Sequence, residues 1–419
     1  MAFAIHTEDW SIDANDALKL ALVSPRTGHI ISEFGPTFTY PLYGDTENIF
    51  GYKQLQMRLM FAADDMEPCV ATTYVERVSN VGEVEAEDII KPLSEVLPES
   101  FSQDPAFYFN SLRTRNKSFI PPGVLHTSFH HAGRSYELWR SSVVDAQCSE
   151  LLGNMQLLVL LYIEGGSVID LEDEEWSNRR WEVFFLYEKH PDHLYCFIGY
   201  CTLYRYYIFN KQLANQSRIR LSQFLILPPF QRKGLGSRFY DYIIQHYLNA
   251  PEVREITIED PSQEFGDLRD RRDLLRLEKE TDFHTMKVST FMSKKKPLSE
   301  LRERMKMPIR QFHRCTEMKL LWNLNMKDRK ERKAFRLILK SRIYKQHSDV
   351  LAQLDRLDRI QKLNETYHQV ENDYKRLLQA MKHNRVEDAD DDGRKPKRMT
   401  QQCEEKTQSL KRARVVTNK

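Results

Sequence analysis

The chain has 419 residues, 41% hydrophobic and 11% aromatic, enough for two or three buried cores and too apolar for a disordered polymer. Its 62 lysines and arginines against 60 acids leave a net charge of +2, so no overall field points to nucleic acid. No apolar run reaches the roughly 18 residues of a membrane span. The start MAFAIHTEDWSID lacks the basic and apolar parts of a secretory leader, and six cysteines without CxxC spacing suggest reduced thiols in the cytosol or nucleus.

Residues 1–120 read as an α+β domain. Ala17 to Val23 alternates like a strand, Gln54–Phe61 and Val70–Val78 read as a hairpin around the acidic turn Ala62–Pro68, and Glu85–Val96 and Ala106–Arg113 have helical spacing. The glycine-flanked loop Gly44-Asp45-Thr46-Glu47 carries two acids, which by composition alone belong in solvent. Pro121-Pro122-Gly123 marks a boundary. Ser135–Ser141 reads as a strand, and Ala146–Glu164 as a buried helix stopped by Gly165-Gly166. Asp170 to Trp176 holds five acids and a tryptophan: a solvated loop, or an acidic rim with an aromatic wall suited to a lysine. Trp181–Tyr187 and Leu194–Tyr207 are strand-like, and alternation in the second puts Tyr204 and Tyr206 on one face. Asn210–Ser217 is a polar loop.

The most informative stretch is LSQFLILPPFQRKGLGSRFYDYIIQHY, Leu221 to Tyr247. Leu221–Leu227 is an apolar run of strand length, and Pro228-Pro229 end it because proline supplies no ladder N–H. Gln231 to Gly236 then opens a helix whose Leu235, Phe239, Tyr242, Ile243 and His246 share a face. A strand, a glycine-bearing loop and a helix N-terminus make an anion site, since the first N–H groups of a helix lack partners within it. The loop is not a P-loop, which needs GxxxxGK[ST], and not a dinucleotide fingerprint, whose third glycine would fall on Phe239. It fits [QR]xxGx[GA].

A second strand, Glu255–Ile258, runs into Glu259-Asp260-Pro261-Ser262, where Asp260 or Ser262 can cap a helix of about 264–280. Two strands joined through a helix should lie parallel. Residues 285–345 read as helical and basic. Ile360, Leu363, Tyr367, Val370, Tyr374, Leu377 and Met381 then step 3 and 4 residues alternately, a seam for a partner helix in cis or in trans. Residues 386–419 read as a disordered tail; its clusters Lys395–Arg398 and Lys411–Arg414, twelve residues apart, suit a bipartite nuclear import signal.

The [QR]xxGx[GA] loop is that of the GCN5-related N-acetyltransferases, and SQFLILPPFQRKGLGS followed by ITIEDPSQEFGDLRDR resembles one family among them, the catalytic subunit of type B histone acetyltransferase, over about residues 10–345. The resemblance implies an α+β fold: a mixed sheet flanked by helices in a central domain (121–258), an α+β N-terminal domain that binds histone (1–120), and a helical C-terminal region (259–345). An amphipathic helix (346–385) and the charged tail complete the expected organisation. It implies acetyl-CoA as cosubstrate, with the pantetheine arm on the backbone of Phe224, Leu225 and Ile226. The diphosphate would lie on Gln231, Arg232, Lys233, Gly234, Leu235, Gly236 and Ser237, with Ser262 and Arg271 also at cofactor positions; no metal is required. Glu259 matches the catalytic acid, and Asp260 and Glu164 match acids implicated as assisting or alternative bases. Asp45, Thr46, Glu47, Tyr204, Arg205 and Tyr206 match histone-contacting segments, and Trp176 is the aromatic wall of the acidic rim.

The implied reaction is acetyl transfer to lysines in the N-terminal tail of newly made, free histone 4, presented with histone 3. The implied setting is histone deposition in cytoplasm and nucleus beside a WD40-repeat histone chaperone, with Asn210–Ser217 the candidate contact, and with neither membrane nor direct nucleic-acid binding. An inactive histone-binding scaffold of the same fold is the alternative. The intact loop glycines and Glu259 speak against it.

Overall fold

The computed structural model describes residues 10–78, 85–115, 119–172, 178–191, 194–209, 216–293 and 296–391. Trp176, most of the Asn210–Ser217 loop and both basic clusters of the tail lie outside them. The chain forms two compact units, Met1–Arg272 with Lys296–Phe312, and Asp273–Lys295 with His313–Lys419.

In the first unit a four-stranded sheet comes first, built from β1 (Leu18–Val23), β2 (Ile30–Phe34), β3 (Gln56–Ala62) and β4 (Pro68–Thr73) in the order β2-β1-β3-β4. The hairpin expected of β3 and β4 forms, but its acidic turn is not solvated. Asp64 is buried beside Asp65, and Asp65 pairs with Arg115. Burial, then the charge of Asp65, pushes the Asp64 carboxyl up to about 6. A single turn, α1 (Tyr40–Tyr43), precedes the loop of Asp45 to Glu47. The helix expected over Glu85–Val96 shrinks to one turn, Lys91–Ser94. Its first residues are held extended instead: Glu87 N–H donates to Phe50 O (3.1 Å), and the Glu87 carbonyl accepts from the Tyr52 hydroxyl (2.8 Å). The helix expected over 106–113 is α2 (Pro105–Thr114), capped by Asp104, which accepts from Ala106 and Phe107 N–H, with Pro105 at the first position.

Pro121-Pro122-Gly123 leads into the second sheet: β5 (Val124–His131), β6 (Arg134–Ser142), β7 (Trp181–Lys189), β8 (Tyr195–Ile208), β9 (Gln216–Ile226) and β10 (Val253–Ile258). Its order is β10-β9-β8-β7-β6-β5, antiparallel throughout except for the parallel β9–β10 pair that the crossover requires. The buried helix expected over 146–164 breaks in two, α3 (Ala146–Met155) and α4 (Leu157–Tyr162). The chain turns at Gln156, whose side-chain oxygen accepts from Ile169 N–H at 2.5 Å. Glu164 therefore lies beyond the helix, exposed, ahead of Gly165 at φ +66°. The crossover helix α5 (Leu235–Leu248) buries Leu235, Phe239, Tyr240, Ile243, Ile244 and Tyr247, a wider stripe than spacing predicted. Each such side chain removed from water contributes about 1.5–3 kcal/mol. One apolar core joins both sheets, from Ala14 to Ile256. α6 (Gln263–Leu277) follows β10, and Ser262 Oγ accepts from Phe265 N–H (3.3 Å), so Ser262 supplies the cap.

In the second unit the seam residues are docked in cis. On α8 (Arg356–Asp391), Tyr367, Tyr374, Leu377 and Met381 are buried, while Ile360 remains exposed. The helix packs on α7 (Arg329–Gln346). The contact also carries charge: Glu317 takes two bonds from Arg342 (2.8 and 2.9 Å) and one from the Tyr374 hydroxyl (2.8 Å). The helix runs on to Asp391, into the acidic stretch assigned to the tail.

Candidate active site

β9 and β10 are paired only over part of their length. Their ladder runs from Ser217 opposite Val253 to Leu221 opposite Ile258, and closes with Glu259 N–H donating to Leu221 O at 2.9 Å. There Asp260 takes φ +24° and the chain leaves the sheet. β9 continues to Ile226, still bonded to β8 on its other side, so Phe224, Leu225 and Ile226 present one edge without a strand partner among the described residues. A β-bulge at Ser222 sits where the strands part: Gln223 faces Thr202 and Leu221 faces Leu203, leaving Ser222 unopposed. The strands thus part into a wedge beside Phe224, Leu225 and Ile226, the residues the resemblance assigns to the pantetheine arm. The Phe224 ring fills its base against Phe239 (5.1 Å) and Phe265 (4.6 Å).

Past the wedge lies the loop. Gly234, at φ +76°, is the N-cap of α5 and offers no side-chain bond, so the first N–H groups of a 14-residue helix stay open to a ligand. Gln231 Nε2 donates to Ile226 O (2.8 Å) and Lys233 Nζ to Pro229 O (2.7 Å), folding both side chains back onto the strand end. A Cβ on Gly236 would meet Leu268 Cδ1 at 3.4 Å, so that glycine serves close packing of α5 on α6. The loop is also braced from the far edge of the sheet: His131, at the tip of the β5–β6 hairpin, bonds through Nε2 to the Lys233 carbonyl at 2.7 Å. A carbonyl only accepts, so Nε2 carries the hydrogen. Ser262 and Arg271 are spent locally, Ser262 on its cap and Arg271 Nε on Asp267 O (3.1 Å).

Glu259 stands at the mouth of the wedge with both oxygens held. Ser222 Oγ donates to Oε2 at 2.7 Å, and Arg220 Nη1 lies 3.0 Å from Oε1. The Arg220 guanidinium sits over the Tyr206 ring, 4.8 Å from its centroid. Tyr206 packs tilted against Tyr204 (4.7 Å) and Tyr204 edge-on against Trp181 (4.9 Å), so an aromatic row leads to the carboxylate. Burial raises the Tyr206 phenol above its ordinary value, with Arg220 opposing and Glu259 adding. Arg205 is not part of this row. Strand alternation turns it to the opposite face, where it bonds Glu182 (2.8 Å) and Ser217 Oγ (2.9 Å). Gln223 Nε2 donates to Ser167 O (2.9 Å), tying the segment after Glu164 to β9 beside the bulge. Asp260 is exposed.

Of the loop acids, Asp45 and Thr46 are exposed, but Glu47 is turned inward. Its Oε1 accepts from Thr39 N–H (2.5 Å) and Tyr40 N–H (3.0 Å), capping α1; those bonds, Thr39 first, hold its carboxyl below the usual range. Sequence reasoning missed Arg220, Ser222, Gln223 and His131. Strand parity in Arg220-Leu221-Ser222 was the available signal for two of them, and nothing local marked His131.

A strand pair opened at a bulge, an unsatisfied helix N-terminus and a pinned carboxylate define an N-acetyltransferase of the GNAT class, and residues 155–265 match the acetyltransferase (GNAT) family. Residues 10–164 match the family described as histone acetyl transferase HAT1 N-terminus, and 270–325 that described as fungal HAT1, C-terminal. The histone acetyltransferase type B catalytic subunit of Aspergillus oryzae is 34% identical over 89% of this chain and 86% of its own length. That of Schizosaccharomyces pombe is 33% identical over 89% and 94%. The chain belongs to the family of histone acetyltransferase type B catalytic subunits. It is an acetyltransferase, and its class implies acetyl-CoA, which the open N–H groups of α5 and the unpaired edge of β9 fit.

The His131 brace carries a prediction. His131→Ala is expected to raise the KM for acetyl-CoA about 5- to 10-fold at nearly constant kcat, the value of one neutral hydrogen bond. His131→Gln, whose amide also donates, is expected to restore most of it. Steady-state kinetics of both variants check this, and an equal fall in kcat would show that His131 does more than hold the loop.

Proposed function

We propose that the protein acetylates lysine side chains in the N-terminal tail of free, newly made histone 4, with Glu259 as general base. The observation that carries the reading is the placement of Glu259, held at both oxygens where β9 and β10 part. A free lysine has a pKa of about 10.4, so near pH 7 the neutral amine costs about 4–5 kcal/mol to populate. A carboxylate within reach of the ammonium removes that obstacle directly or through one water. Glu259 takes the first ammonium proton and passes it to solvent. The neutral lysine Nζ then attacks the thioester carbonyl; its N–C bond forms, the C–S bond breaks, and the second proton, lost from nitrogen as the amide forms, goes to the leaving thiolate. No protein nucleophile is needed, and Cys196 and Cys201, the cysteines of β8, are buried with thiols pushed up by desolvation.

The N–H groups from Gln231 to Ser237 hold the diphosphate, and the free edge of Phe224–Ile226 bonds the pantetheine arm. The row Trp181–Tyr204–Tyr206 suits a lysine stem, whose methylenes pack on rings while the head meets a carboxylate. Asp45 and Thr46 are open to a basic peptide. Asp260 and Glu164, both exposed, assist the base; the tie from Gln223 to Ser167 keeps the Glu164 segment near the bulge. The setting we infer is histone deposition, in cytoplasm and nucleus, alongside a WD40-repeat histone chaperone.

Labelled acetyl-CoA offered with a histone 4 tail peptide, a histone 3 tail peptide and intact nucleosomes tests the reading. Label is expected on the histone 4 peptide and at least tenfold less on nucleosomes. Peptide binding without transfer would overturn the proposed turnover, and preferential labelling of nucleosomes would overturn the free-histone assignment.

A further inference from the structure

A glutamate has three rotatable side-chain bonds, so a general base on an exposed strand end needs something to hold its carboxylate plane. One partner leaves it free to pivot about that contact. Glu259 has two, one per oxygen: the Ser222 hydroxyl on Oε2 and the Arg220 guanidinium on Oε1. Arg220 is itself fixed. It stands between Tyr204 on β8 and Thr257 on β10 in the ladder, and its guanidinium carbon sits over Tyr206, 4.8 Å from the ring centroid. The side chains of both partners are about one-third exposed (34% and 38%), so the pair is reachable by substrate while still partly screened from water.

A carboxylate has about four acceptor positions, and these two bonds use two of them. The remaining lone pairs are left to take a proton. The guanidinium does not compete for that proton, because arginine keeps its own charge at any working pH. A planar fork held over a ring therefore fixes where the carboxylate oxygen can sit.

We propose that Arg220 is a positioning residue for acetyl transfer: held over Tyr206, it fixes the plane of Glu259 and acts on the reaction only through that carboxylate. The proposal rests on Glu259 being the base, and the test separates the two claims. Five proteins are compared with acetyl-CoA and the histone 4 tail peptide: wild type, Arg220→Gln, Glu259→Gln, the double variant, and Arg220→Lys as the charge-preserving control. Arg220→Gln is expected to lower kcat about 10- to 30-fold, as for loss of a charge-assisted bond, while leaving the KM for acetyl-CoA within twofold. Arg220→Lys is expected to recover only part of the loss, because an ammonium keeps the charge but not the planar fork. In the Glu259→Gln background, Arg220→Gln is expected to cost less than twofold more, because an effect exerted through a carboxylate vanishes with it. A full 10-fold further loss in that background overturns the Arg220 proposal alone and makes it an independent substrate contact or a structural residue. Undiminished turnover of Glu259→Gln overturns the base assignment, and the Arg220 proposal with it. A raised KM for acetyl-CoA in Arg220→Gln also counts against it, since the loop would then have moved.

Discussion

Glu259→Gln is expected to lower kcat for peptide acetylation by about 10³-fold, within the range general-base catalysis supplies. The amide keeps the size of the side chain; its oxygen still accepts from Arg220 and its NH2 can donate to the Ser222 hydroxyl, so the wedge should stay intact. What is lost is the capacity to take a proton from an ammonium that stays charged near pH 7. The Kd for acetyl-CoA, measured by calorimetry, should stay within twofold of wild type, because the loop and the free edge of β9 are untouched. A second check is chemical: raising the pH toward 9–10 supplies neutral amine without a base, so the variant should recover activity relative to wild type. Unchanged turnover near pH 7 would refute Glu259 as base.

Gly234→Asp should fail in the opposite way. Gly234 sits at φ +76°, where a side chain costs about 1 kcal/mol, and its Cβ would stand 3.4 Å from His131 Nε2. An aspartate there also aims a negative charge at the open N–H groups that would receive the diphosphate. Acetyl-CoA binding should weaken by about 100-fold or more, while a thermal melt shows a folded protein. Gly234→Ala separates the two causes: it carries the strain without the charge and should lose about tenfold or less. Equal losses in both variants would assign the effect to the backbone and remove the electrostatic argument.

How much of this was legible beforehand depended on whether a feature is local in the chain. Helix α5 and its glycine loop follow from spacing and from two prolines and formed where expected, though Tyr242 and His246 of the expected face are only half-buried and the strand before the loop begins at Gln216, five residues ahead of Leu221. Ser262 as cap and the parallel β9–β10 pair follow equally from short-range rules. Glu85–Val96 had helical spacing but was captured by Phe50 and Tyr52, where tertiary hydrogen bonds outweighed a propensity worth tenths of a kcal/mol per residue. Ala146–Glu164 had one long apolar pattern but divides at Gln156, whose side chain accepts from Ile169 N–H. The burial of the acidic turn was not legible locally either: Asp65 pairs with Arg115, 50 residues later.

The amino-acid order alone determined the glycine loop and the acid at the strand end, which rest on neighbours within a few residues, and, through the family resemblance, the class of fold. It also determined that Tyr204 and Tyr206 share a face, because side chains alternate along a strand. Only the tertiary structure decided that the β9–β10 ladder stops at Leu221, that Glu259 is gripped by Ser222 and Arg220, that Glu47 caps a turn, and that His131 reaches Lys233 across 102 positions of sequence. The physical reason is register. Parity says which side chains share a face, but the pairing of one strand with another is set by the packing of the whole core.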